Sequence, residues 1–500
     1  MSLLGIDIGH AGCKAGVINA DGEFLTLAYR EYQILQPQPG WAELDSQAVW
    51  HEIKDVIKEV AQATGHDPIV AVSMTSMGEA MTPVTAGRTI LDNCVLGIDA
   101  RGEEYVAAMG NNPGRERLHA LNGNVLGTAY SLPKLAWVRD HKREIFQRAY
   151  RFLLWSGLVG YLLGGEPVTD YSLASRTLLF DLHAKDWSPE LLEATGIPIK
   201  KLPRIVPAGT VVGQVEETLA AELGLPPNVK IITGGHDQCC TALGAGVVKP
   251  GRAVYGMGTF FCVTPVYDIM PSSQVMLASG MNIEHHVVPG QYLSFLFNIG
   301  GSILRWARDT MAAAEYAEAR AQRYDIYDRL LKDLPDGPTR LMVLPHFAAL
   351  GPPTFDPNSA GVIAGLKVQT TRSEVIKAML EGVTFYFAEG LDLISRAGLQ
   401  ANEFRATGGG AKSDVWLQLT ADILGQPIAR LQVSECGVLG AAILAGVGSG
   451  VFSSAAETAE AVVRITHTFE PSPEKHALYR ERLKHYKQLY PLLKDYLHQL

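Results

Sequence analysis

Five hundred residues exceed what one hydrophobic core ordinarily organises, and two domains of about 250 residues each fit the usual size limits. A hydrophobic share of 47%, a charged share of 19% and a formal net charge of -9 describe a globular chain and argue against nucleic acid or an anionic membrane as partner. The six cysteines (Cys13, Cys94, Cys239, Cys240, Cys262 and Cys436) contain no C-x-x-C pair, so neither a zinc site nor a disulfide framework is expected; they read as reduced, mostly buried thiols of a cytoplasmic protein.

The chain enters a strand almost at once, with no basic region before it, so no signal peptide is expected. Leu3 to Ile8 and Lys14 to Ile18 are apolar runs about a glycine turn; Asp21-Gly22 marks another turn and Phe24 to Tyr29 a third strand, which together make a β-meander. Val49, Ile53, Val56, Ile57 and Val60 recur at helical spacing over Ala48 to Thr64, and Ile69 to Met74 follows as a buried strand. Leu135 to Leu163 reads mostly helical. Lys230 to Thr233 is a strand that delivers Gly234-Gly235 and Asp237 to its carboxyl end, where ligands of α/β folds collect.

A second cycle opens after Lys249-Pro250-Gly251-Arg252, with strands at Ala253 to Met257, Phe261 to Pro265 and Tyr292 to Asn298. Gly301 to Ala313 and Arg372 to Ala397 read as helices, Phe404 to Thr407 as a strand ending in Gly408-Gly409-Gly410, and Val415 to Leu424 as the helix behind it. Cys436 to Ala456 is uncharged and long, but its glycines argue for a packed interior helix and turn rather than a membrane span. Ser472-Pro473-Glu474 starts a final helix striped by Leu478, Leu483, Tyr486, Tyr490, Leu493 and Leu497. The repeated meander followed by alternating helix and strand implies two related α/β domains facing across a cleft, with the boundary near Gly246 to Pro250.

Two glycine turns and one acid carry the chemistry. Gly5-Ile6-Asp7-Ile8-Gly9-His10-Ala11-Gly12-Cys13-Lys14 and Gly256-Met257-Gly258-Thr259 let backbone N–H groups approach phosphates. Asp7, at a strand tip, either orients a hydrated magnesium ion or only stabilises its turn. The second loop is neither a G-x-G-x-x-G nor a Walker pattern. Asp237 can accept the proton of a hydroxyl as it attacks phosphorus, or cap a helix; the roles are compatible. His236 reads as a packed core histidine and Gln238 as a substrate contact. Thr407-Gly408-Gly409-Gly410-Ala411-Lys412-Ser413 offers a flat glycine platform for a nucleotide base.

Gly408 through Gly425, followed by Gly440-Ala441-Ala442, resembles the C-terminal signature of the FGGY carbohydrate kinases, in the actin/Hsp70/sugar kinase superfamily. Pro39-Gly40-Trp41-Ala42-Glu43, Asp99-Ala100-Arg101, Thr169 to Ser175, Asp356-Pro357 and Glu381-Gly382-Val383 are similar to other elements of that family. The resemblance covers essentially the whole chain. It implies two ribonuclease H-like domains, 1–246 for sugar and catalytic base and 247–500 for nucleotide. It implies Asp237 as base, Asp7 for magnesium, Asp7, Gly9, His10, Lys14, Gly258 and Thr259 for phosphates, and Gly301, Gly409, Gly410 and Ser413 around the rest of ATP. Substrate contacts would come from Met77, Gly78, Glu79, Asp99, Arg101, Tyr171, Asp237 and Gln238.

Departures bear on the substrate. His10, Ala11 and Gly12 replace the family's threonine and further hydroxyls, so that grip on phosphate is lost or passes to His10. Ser76-Met77-Gly78-Glu79 replaces the Gln-Met-His-Gly of pentulose kinases; Glu79 resembles the Arg-Glu of glycerol kinases without the arginine, and Gly97 stands where tryptophan is common. The overall pattern favours a ketopentose such as D-xylulose, with glycerol, gluconate and other polyols or ketoses as alternatives. A weakly catalytic regulator and an actin- or Hsp70-like ATPase are the competing classes; the setting of Asp237 and the lack of a peptide-binding tail weigh against the ATPase. A homodimer is a family-level expectation.

Overall fold

The computed structural model describes residues 1–500, and its two large sheets are built to one plan. The first contains β1 (Ser2–Ile8), β2 (Gly12–Ile18), β3 (Phe24–Glu31), β4 (Ile69–Ser76), β5 (Val211–Gln214) and β6 (Lys230–His236), in the order β5-β6-β4-β1-β2-β3. The first three form the expected antiparallel meander, while β4 and β6 run parallel to β1. The second contains β7 (Gly251–Met257), β8 (Phe260–Tyr267), β9 (Leu296–Ile299), β10 (Ala401–Thr407), β11 (Ile428–Leu431) and β12 (Ile465–Phe469). There β9-β8-β7 is the meander, β10 and β11 are the parallel strands, and β12 is the antiparallel edge. Each sheet thus repeats one plan, a meander joined to parallel strands, as the duplicated pattern of the sequence implies.

Local sequence explains much of this. The helix Ser46–Ala63 is capped by the Asp45 carboxylate, which accepts from the N–H groups of Gln47 and Ala48, and its five periodic apolar residues are buried under the first sheet. Tertiary pairing overrides local pattern elsewhere. Leu135 to Leu163 is not one helical stretch: helices end at His141 and Arg148, and Arg151–Leu154 is a strand paired with Met81–Val84 before the helix Trp155–Leu163. β6 runs past Thr233 to His236 because Gly235 and His236 pair with Thr75 and Ser76. Tyr292 to Asn298 splits into Tyr292–Leu293 and β9, both paired with β8, and the helix from Gly301 stops at Met311. The final helix, Pro473–Leu497, starts at Ser472 as expected, but Tyr479 takes the buried position and Leu478 is exposed. That restores an even four-three spacing with Leu483 and Tyr486.

The uncharged segment becomes the helix Cys436–Ser449, ended by Gly450 in the left-handed region (φ 84°). No helix is long and apolar enough to cross a membrane. Although it lies between β11 and β12 of the second sheet in sequence, this helix packs on β1, β4 and β6 of the first and crosses the helix Asp237–Gly244. The crossing is backbone to backbone. A Cβ on Gly440 would stand 1.9 Å from the Cys240 carbonyl oxygen, and one on Gly244 would stand 1.9 Å from that of Cys436. Gly440→Ala is therefore expected to lower stability by about 3 kcal/mol in chemical denaturation, the scale of an overpacked core; an unchanged midpoint would show that the helices separate freely.

Candidate active site

Three parallel strands, β1, β4 and β6, end on the same side of the first sheet and bring Asp7, Gly78-Glu79 and His236-Asp237 together. Asp7 is half-buried against the start of the helix Cys436–Ser449, where a Cβ on Gly437 would lie 2.8 Å from its Oδ2. Burial and then the charge of Asp237 push the Asp7 carboxyl up to about 7. Asp237 is the first residue of its helix, a quarter exposed, and does not cap it; His236 occupies the N-cap position. The β1–β2 turn is closed internally. Gly9 N–H donates to Gly12 O (2.9 Å), Tyr32 Oη lies 2.6 Å from Gly9 O, and His10 and Ala11 are exposed. Lys14 is ion-paired with Glu435.

Asp237 meets a buried ionic network, of whose members the sequence left Arg176 and Glu284 unmarked. His236 Nε2 lies 3.2 Å from Asp237 Oδ1, and its Nδ1 lies 2.8 Å from Glu284 Oε1. Glu284 Oε2 is 3.5 Å from an Arg176 guanidinium nitrogen, and Arg176 also binds Glu79, with Nε 2.8 Å from Oε1. Burial opposes the charge on Glu79, yet Arg176 and His236 hold its carboxyl below the usual range. The arginine absent beside Glu79 in sequence is thus supplied through space. Gly78 lies on the Arg176 stem, and a side chain on Gly97 would meet Ala129 O at 2.8 Å and Glu79 Oε2 at 3.5 Å. No tryptophan fits there.

The family-like motifs also lock one another. Asp170 caps the helix Tyr171–Ser175 through the N–H groups of Ser172 and Leu173, and Ser172 Oγ accepts the His236 N–H at 2.9 Å. Tyr171 packs its ring against Phe180 and His285, and Gln238 is half-buried. Three of the expected substrate contacts, Met77, Asp99 and Arg101, are buried. The Met77 side chain is in the core, and Asp99 is fully buried, accepting from Ala42 N–H (2.6 Å) and from Arg101. Arg101 in turn sits over Trp41 (3.9 Å) and Trp137 (4.8 Å) and pairs with Glu43 (2.7 Å). Trp41, Glu43, Asp99 and Arg101 are one structural clasp.

The second sheet ends in a cavity of about 860 Å³ that gathers Gly258, Thr259, Gly301, Gly409, Gly410 and Ser413. Gly301 N–H donates to Gly258 O (3.1 Å), which ties the β7–β8 turn to the following helix. Ser413 Oγ caps the helix Asp414–Leu424. Arg305, Tyr327 and Lys332 also line the cavity; they lie on or beside helices with no glycine signature, so no motif announced them.

The N-terminal domain model of the FGGY family of carbohydrate kinases matches residues 2–244, and the C-terminal domain model matches residues 253–449. The chain is 30% identical to the xylulose kinase of Staphylococcus epidermidis over 497 residues, which cover 99% of this chain and 97% of that one. It is 31% identical to the glycerol kinase of Gloeobacter violaceus over 462 residues, covering 91% and 90%. The crystal structure of the xylulose kinase from Rhodospirillum rubrum superposes with a TM-score of 0.88 at 26% identity, covering all of both chains.

Arg176 is flanked by Glu79 and Glu284, so removing it leaves two acids without their partner. Arg176→Met is expected to cost about 3 kcal/mol in urea denaturation, and Glu79→Gln in that background to recover part of the loss. Additive losses would show that Arg176 and Glu79 do not act as a pair.

Proposed function

The chain belongs to the FGGY family of carbohydrate kinases, phosphotransferases with an alcohol acceptor, and on that footing we propose that it phosphorylates a neutral ketopentose, D-xylulose first, with ATP as donor. Residues 1–246 would serve the sugar and 247–500 the nucleotide. One observation carries the reading: Asp237 stands quarter-exposed at the carboxyl end of β6, free of any capping duty, beside Asp7 and at the end of an ionic network that starts at Glu79. The acids Glu79, Asp170, Asp237 and Glu284 outnumber Arg176 and His236 around it, a field that repels an aldonate carboxylate and accepts hydroxyl protons. Glycerol is the second reading, carried by the Glu79–Arg176 pair.

Asp237 takes the proton of a primary hydroxyl while that oxygen bonds to the γ-phosphorus. The bond from phosphorus to the bridging oxygen breaks, and its electron pair leaves with ADP. Gly258 and Thr259 offer N–H and hydroxyl donors to phosphate oxygens, and Gly409 and Gly410 leave room for the adenosine. Asp7 fits a magnesium ion, because a cation relieves the charge it shares with Asp237; when bound, Mg2+ neutralises the β- and γ-phosphates.

Asp237→Asn is expected to lower sugar-dependent ADP release at least about 1000-fold while ATP binding changes little; retained turnover removes Asp237 as base. A coupled assay over pentuloses, glycerol, other polyols and aldonates should give its highest kcat/KM with D-xylulose. A preference for gluconate would overturn the charge argument. No atom lies within 4 Å of a Cβ built on Gly409. Gly409→Leu is therefore expected to weaken ATP binding about tenfold, with a thermal midpoint close to that of the parent; unchanged affinity would move the adenosine elsewhere.

A further inference from the structure

We infer that His236 is a positioning residue for Asp237, held in turn by Glu284, so that the orientation of the base is set from the C-terminal half of the chain. The inference rests on the reading of Asp237 as base. Five groups alternate in sign along one buried line: Glu79, Arg176, Glu284, His236 and Asp237. The Glu284 side chain has no solvent exposure and that of His236 is 7% exposed. Each ring nitrogen of His236 faces a carboxylate, Nδ1 in a hydrogen bond with Glu284 and Nε2 in a charge contact with Asp237, and both contacts are strongest when the ring is protonated. Burial opposes that charge, but Glu284 and Asp237 outweigh it and hold the ring above its usual value.

The setting is rigid on every side. The His236 N–H donates to Ser172 Oγ (2.9 Å), and the ring stands edge-on to Phe295 with centroids 5.4 Å apart. Cys239 Sγ lies 3.4 Å from the Glu284 oxygen that His236 uses, Arg176 faces the other oxygen, and Asp170 stands behind Ser172. Glu284 comes from the second half of the sequence, yet its neighbours are fixed to the first: Ile283 N–H donates to Gly123 O (2.7 Å), and His285 Nε2 lies 2.8 Å from Leu182 O. Because the His236 ring draws Asp237 Oδ1 by charge at 3.2 Å, the Oδ2 atom is left to meet a substrate hydroxyl. A carboxylate free to rotate would present neither oxygen reliably, and misorientation of a base by a fraction of an ångström is costly.

The test uses the full-length protein, with kcat normalised to folded protein. His236→Gln is expected to lower kcat at least tenfold while KM for sugar and for ATP changes less than threefold. Glu284→Gln should do the same, and the double variant should be no slower than either single one, as for two parts of one link. In an Asp237→Asn background, His236→Gln should cost nothing further. A wild-type kcat in both single variants, or a loss confined to KM and thermal stability, overturns the inference. These outcomes are separable from failure of the base reading, which shows itself as turnover in Asp237→Asn alone. Should His236→Gln not fold, Glu284→Gln and its kcat–KM split decide the question.

Discussion

Two helices meet at glycine, backbone against backbone, and the rest of the site depends on that contact. The helix Asp237–Gly244 follows directly from the last parallel strand of the first sheet, and the helix Cys436–Ser449 returns from the second sheet to lie across it. Gly244 and Gly440 each sit where any side chain would strike the other helix's main chain. Each helix also starts at the chemistry: Asp237 opens one, and Gly437, in the first turn of the other, lies against Asp7. One crossing thus fixes the separation of the two acids and ties both sheets to it.

Charge is organised as economically as packing. Around Asp237 the side chains of Glu79, Arg176, Glu284 and His236 all have partners of opposite sign, because an unpaired charge in such surroundings is far more costly than a paired one. Arg176 pairs with Glu79 and Glu284, and His236 with Glu284 and Asp237, so two cations serve three acids. A second network, Glu43–Arg101–Asp99 under Trp41 and Trp137, is likewise buried and paired. The contrast separates the two: one network ends at a part-exposed carboxylate, the other ends on itself.

Legibility in the sequence followed the locality of the cause. Val49 to Val60 gave a helix because a spacing of three and four residues is a property of the segment itself, and Ser472-Pro473 marked a helix start for the same reason. Arg151–Leu154 was read as helix because its strand partner, Met81–Val84, lies about seventy residues away. The glycine turns at Gly258 and Gly409 stand out in the sequence, and they line one cavity. Asp99 and Arg101 were legible as a motif, but whether a motif touches substrate or locks the scaffold is decided by its neighbours.

The chain by itself determined the repeated meander, the glycine loops and Asp237, because each depends on backbone freedom or on periodicity within a short window. Only the folded structure decided who stands next to whom: that Arg176 supplies the partner missing beside Glu79, that Glu284 reaches back to His236, and that the uncharged helix belongs to the first sheet rather than the second. Such pairings join residues far apart in sequence, and no local pattern encodes them, because their energy exists only once burial has removed water from both partners at the same place.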